Sequence, residues 1–142
     1  AIVAMNDPME PPAASPATVG HVPADVDVRA VLDIFADLSS LAMFSESADG
    51  CIARWNRGAE RIFGYTAKEA VGQHVSLLYF EEDRPTVKET VLDALLRRGW
   101  LETTQRNRRK NGEECYIELS LSLVTDENGE IEGMLGGAKK TQ

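Results

Sequence analysis

The stretch Cys115-Tyr116-Ile117-Glu118-Leu119-Ser120-Leu121-Ser122-Leu123-Val124 decides the fold. Cys115, Ile117, Leu119, Leu121 and Leu123 alternate with Tyr116, Glu118, Ser120 and Ser122, the two-residue period of a strand with one dry face and one wet face. A strand of that kind belongs to an antiparallel sheet covered on one side only. Before it, residues 100–109 run as a strand into Lys110-Asn111-Gly112, and after it Asn128-Gly129 leads to a last strand over residues 131–139. Both Asn-Gly pairs are hairpin signals. Gly133, Gly136 and Gly137 weaken that last strand, and they permit a ligand or a crossing helix to approach its backbone.

Working toward the N-terminus, Arg97, Arg98 and Gly99 close a long helix that opens at Glu81, Glu82, Asp83 and Pro85. Acidic residues at its start and basic ones at its end complement the helix dipole. Its inward stripe is Val87, Val91 and Leu95. Thr66-Ala67-Lys68-Glu69 is a capping box for a short helix ending at Gly72, and Asn56 caps another that buries Ala59, Ile62 and Phe63 and stops at Gly64. Ahead of these, Leu41-Ala42-Met43-Phe44-Ser45 and Cys51-Ile52-Ala53-Arg54-Trp55 read as paired strands around the Asp49-Gly50 turn. The class is α+β, with helices across one face of an antiparallel sheet, an arrangement that encloses a pocket.

The chain of 142 residues suits one domain and leaves no room for separate sensing and output units. A net charge of −8 argues against nonspecific contact with nucleic acid or an anionic membrane, and no apolar run approaches the ~18 residues needed to span a bilayer. A cytoplasmic chain is the expectation. Five of the six prolines crowd into the first 23 residues, so residues 1–24 read as a flexible arm or linker. Residues 25–40 read as a flanking helix whose stripe, Val28, Val31, Phe35 and Leu38, either docks on its own domain or meets its copy in a homodimer. Residues 41–142 form the domain proper.

Catalytic signatures are missing from the sequence: it has no phosphate-binding Gly-Lys loop, no Gly-x-Ser-x-Gly elbow and no His-Glu-x-x-His. His21 and His74 have no partner at metal-ligand spacing, so no metal is expected. Arg106, Arg108, Arg109 and Lys110 form a basic cluster, which beside a turn reads as a solvated hairpin end rather than a nucleic-acid contact.

Residues 41–142 resemble a PAS domain. The resemblance is carried by Asp49-Gly50 with Ile52, Trp55-Asn56, residues 59–65 (AERIFGY), Glu69, Gly72, Asp83-Arg84, Arg109-Lys110-Asn111-Gly112, Glu118-Leu119-Ser120, and Asp126 with Gly129 and Gly133. It implies a five-stranded antiparallel sheet in the order 2-1-5-4-3 and a sensory role upstream of a histidine kinase, a diguanylate cyclase or a transcriptional regulator. In that order Cys51 and Cys115 lie three strands apart, roughly 14 Å, beyond the ~7 Å that a disulfide spans. Flavin-binding light sensors of the family carry a reactive cysteine where this chain has Val75 in Gly72-Gln73-His74-Val75, and Ile117 and Ala138 replace two of their ring-contacting amides. Asn107 matches a third. Haem-binding members place a histidine on the long helix, and residues 84–99 contain none. Flavin and haem are therefore both disfavoured.

If the family's register holds, Ile52, Val75, Val91, Leu95, Ile117, Leu119, Leu121, Met134 and Ala138 face inward, with Thr103, Gln105 and Asn107 adding polar groups. Such an interior either holds an unidentified small organic ligand or is a packed core. Asn107 in turn is either a ligand contact or an amide satisfied by backbone near the Asn111-Gly112 turn. The family's usual exit from the last strand, Asp-Ile-Thr, is Lys140-Thr141-Gln142 here, which alters the acidic residue thought to couple such domains to their output.

Overall fold

Apolar residues at alternating positions put one side of the long central strands out of water, and the helices supply the cover. The computed structural model describes residues 28–141. The chain divides into two units, Ala1–Val31 and Leu32–Gln142. Of the first, only the opening turn of helix α1 (Val28–Leu38) is described, so the reading of residues 1–24 as an arm and of a helix beginning at Asp25 lies outside the described residues, as do the side chains of Val28 and Val31.

In the second unit, β1 (Ala42–Ser47), β2 (Ile52–Trp55), β3 (Trp100–Arg108), β4 (Glu114–Thr125) and β5 (Ile131–Lys140) form one sheet in the order β2-β1-β5-β4-β3. Every pairing is antiparallel. Between β2 and β3 come α2 (Arg57–Phe63), α3 (Ala67–Ala70), 3₁₀ turns over Val75–Leu78 and Glu81–Asp83, and α4 (Arg84–Arg98).

The caps act as the sequence reading expects. Asn56 Oδ1 accepts from the Ala59 amide, Thr66 and Glu69 complete a reciprocal capping box, and Gly64 and Gly99 end α2 and α4 in the left-handed conformation. Burial alternates along β4, where Cys115, Ile117, Leu119 and Leu121 are buried. They pack with Ala42, Phe44, Ile52, Trp55, Phe63, Leu78, Leu95 and Ala138 into one core. Gly136 lies under the Phe44 ring, where an added Cβ would sit 2.5 Å from a ring carbon, so this central strand needs a residue without a side chain there.

Details of β1 and β2 differ from the sequence reading, and the acidic run Glu81–Asp83 forms a 3₁₀ turn ahead of α4 instead of its first turn. Strand β1 continues past Ser45 to Ser47, with an irregularity in its pairing between Ser45 and Glu46. Cys51 makes an isolated bridge to His74 instead of opening β2. The stripe on α1 does not dock where it is described: Phe35 is 64 % and Leu38 76 % exposed, and Ile34 is exposed beside them.

Candidate functional site

A cavity of about 280 Å³ lies between α4 and the sheet. Val87, Val91, Leu92 and Leu95 of α4 form its roof, and Glu46, Leu121 and Met134 form its floor. The β1–β2 turn supplies Ala48, Asp49 and Gly50, and the segment before α4 supplies His74, Val75, Ser76 and Tyr79. Arg84 and Lys88 stand at the start of α4. The walls are mostly apolar, with few polar groups, which is the make-up of a small-molecule site.

The expected interior residues separate into two groups. Val75, Val91, Leu95, Leu121 and Met134 border the cavity. Ile52, Ile117, Leu119 and Ala138 are fully buried in the core, and Thr103, Gln105 and Asn107 do not border the cavity either. Asn107 is 1 % exposed and its amide is satisfied by backbone, but the acceptor is Leu78 O at 2.9 Å rather than the Asn111-Gly112 turn. Gln105 Nε2 donates to Tyr79 Oη at 3.0 Å and reaches Asn107 Oδ1 at 3.4 Å. This amide relay pins the Val75–Leu78 turn and Tyr79 to β3.

Sequence reasoning missed Glu46. Strand alternation turns Ala42, Phe44 and Glu46 to the inner face, where Glu46 pairs in register with Met134 and is only 7 % exposed. Burial pushes its carboxyl up to about 7. Tyr79 is pushed up to about 12, first by burial and further by the charge of Glu46, against the opposing hydrogen bond from Gln105. Asp49 behaves oppositely: hydrogen bonds from Ser47 Oγ and the Cys51 amide hold it below the usual carboxylate range. His74 Nδ1 accepts from the Ser76 amide at 3.1 Å and caps the 3₁₀ turn, and Arg84 Nε donates to Ser76 O at 3.1 Å.

Three of the four residues of the basic cluster, Arg106, Arg109 and Lys110, are paired within the chain. Arg106 bridges Glu82 and Asp83 at 3.0 Å each and lies over Phe80, Arg109 Nε donates to Ile62 O at 2.9 Å, and Lys110 meets Glu69 at 2.5 Å. Among the described residues no group of His, Cys, Asp and Glu is placed to hold a metal ion, and no helix is long and apolar enough to cross a membrane.

A single antiparallel sheet in the order β2-β1-β5-β4-β3, with helices over one face, is the arrangement that the resemblance to PAS domains implies. Residues 35–140 match the model of the PAS fold, and the chain belongs to the PAS family. It is 35 % identical over 84 residues to the two-component system protein A of Emericella nidulans, a match covering 58 % of this chain and 12 % of that protein. Among solved structures it is similar to a PAS domain from Colwellia psychrerythraea, with 26 % identity and a TM-score of 0.76 over 81 % of this chain and 98 % of the other. The light-oxygen-voltage protein of Rhodobacter sphaeroides shares the fold at 22 % identity and a TM-score of 0.66, over 81 % of this chain and 68 % of its own.

Proposed function

We propose that this domain is a cytoplasmic ligand sensor that relays occupancy of its cavity to an output domain in the same parent chain, a histidine kinase of the two-component type, including hybrids with a receiver domain. The observation that carries the reading is the apolar cavity under α4, a volume the surrounding side chains leave unfilled. At about 280 Å³ it has room for roughly nine waters' worth of ligand, which favours a small organic molecule over a flavin or a haem. The two-component relative supports the signalling context, although this chain spans 12 % of its length. The domain performs no catalysis of its own in this reading and contacts neither nucleic acid nor membrane.

The test is a melting experiment against a metabolite library, since a ligand that binds only the folded state raises Tm with its concentration. At least one small compound is expected to do so, and to lose the effect when Val91 is replaced by Trp to fill the cavity. Failure of every compound would leave the second reading, a ligand-free interaction module of a transcriptional regulator or diguanylate cyclase. The exposed Ile34, Phe35 and Leu38 on α1 favour a homodimer in either case.

A further inference from the structure

We propose that the cavity under α4 takes a small apolar molecule bearing one primary ammonium group, which pairs with the carboxylate of Glu46. This rests on the reading of the domain as a ligand sensor and names the chemistry of the ligand.

The argument begins with which polar groups are already engaged. Tyr79 Oη accepts from Gln105, Asp49 is held by Ser47 Oγ and the Cys51 amide, His74 Nδ1 accepts from Ser76, and Arg84 Nε donates to Ser76 O. Lys88 is exposed. Glu46 alone is more than nine-tenths buried and has no side-chain hydrogen bond or ion pair among the described residues, although an ionised carboxylate offers about four acceptor sites. No buried side-chain oxygen among the described residues lacks a partner, so the Glu46 oxygens are not sealed off but open onto the cavity that Glu46 lines, where a donor arriving from outside can meet them.

The walls specify the rest of the ligand. Leu95, Val91, Leu121 and Met134 surround the carboxyl with apolar surface, which suits a hydrocarbon body and gives no second set of oxygen ligands for a bare metal cation. A protonated amine supplies a charge-assisted hydrogen bond and the compensating charge together. The titratable or charged groups facing Glu46 are Asp49 from the β1–β2 turn, His74 and Tyr79 from the segment before α4, and Arg84 and Lys88 from α4; β2 and β5 present Ile52 and Met134. None of them forms an ion pair with Glu46.

Binding then carries a proton signature. The free domain holds Glu46 protonated below about pH 7. An incoming R–NH₃⁺ requires the carboxylate, so the carboxyl proton leaves to solvent as the ion pair forms.

The experiment is calorimetric titration of the wild type, Glu46→Gln and Glu46→Leu with primary n-alkylamines of four to eight carbons and 2-phenylethylamine, each against the alcohol of the same skeleton, at pH 5.5 and 8.0. An amine should bind and its alcohol bind at least tenfold more weakly. Affinity for the amine should be about thirtyfold higher at pH 8.0 than at 5.5, the ratio of ionised carboxyl for a group titrating near 7. Repeating the titration at pH 6 in buffers of different ionisation heat should count close to one proton released. Glu46→Gln should abolish the pH dependence and the proton release.

Alcohols that bind as well as or better than amines, or an affinity that falls as pH rises, would overturn the ammonium proposal and leave the sensor intact. Such a result means a protonated Glu46 donating to an acceptor. If neither series binds the wild type, and the Tm of the wild type responds to no library compound, the proposal and the sensor reading fail together.

Discussion

Replacing Glu46 by glutamine keeps its shape and removes its titration, so the difference between the two proteins isolates one buried carboxyl. The folded chain holds that carboxyl at about 7, while the unfolded chain releases it to the ordinary 4.5. Between those values the folded state carries a proton that the unfolded state has lost, so stability falls as pH rises. The full separation corresponds to about 3 kcal/mol, complete above pH 7 and absent below 4.5. Asp49, Glu69 and Glu82 are shifted the other way by their hydrogen bonds, and their contributions are lost only as pH falls through the acid range. They are the same in both proteins and cancel in the difference. Urea unfolding of wild type and Glu46→Gln at pH 4.5, 6.0 and 8.0 gives the comparison. The variant should gain on the wild type by about 2 to 3 kcal/mol from the lowest pH to the highest. Parallel pH profiles, within about 0.5 kcal/mol, would show that Glu46 reaches water in the free domain and would refute the reasoning from burial.

Other outcomes follow from packing. Leu119→Ala, in the buried centre of β4, should cost about 2 to 5 kcal/mol by urea unfolding, the loss of a fully buried side chain from the core. Gly58→Ala should cost about 3 kcal/mol or more, since its Cβ would stand 2.0 Å from Leu41 O at the entry to β1; a melting temperature within a degree or two of wild type would mean α2 is free to shift. Phe35→Glu with Leu38→Glu should reduce a dimer to a monomer in sedimentation while circular dichroism stays unchanged, and an unaltered dimer would remove α1 from the interface. The purified protein should show no absorption band above the aromatic region, and a stoichiometric flavin or Soret spectrum would contradict the cavity's size and the internal engagement of Asn107.

The parts of the fold that local rules govern were legible. Strand alternation in β4, the Asn56 and Thr66 caps and the glycine stops at Gly64 and Gly99 each depend on residues within a few positions of one another. Glu46 was not legible, because a charged residue close to the Asp49-Gly50 turn reads as solvated and the strand seemed to end at Ser45. Only the two further residues of β1, and α4 lying above them, put that carboxyl inside. Asn107 was open between a ligand contact and an amide satisfied near the Asn111-Gly112 turn, because its actual acceptor, Leu78 O, lies on a short 3₁₀ turn that has no hydrophobic period to reveal it. The exposure of Phe35 and Leu38 was open for a similar reason: an amphipathic stripe shows that a face wants cover and says nothing of what provides it.

Asn56 gives the fold a shared latch. Its single carboxamide accepts from the amides of Met43 and Ala59 at 2.7 and 2.9 Å, and donates to the carbonyls of Ala36 and Leu41 at 2.8 and 3.0 Å. Two amide protons from different elements therefore hang on one oxygen atom, and one side-chain rotation frees both. In hydrogen exchange, Met43 and Ala59 should open with the same free energy and the same dependence on denaturant. The end of α1, the first residues of β1 and the first turn of α2 then breathe as one cooperative unit, and a pull on the flanking helix reaches the sheet without passing through the core.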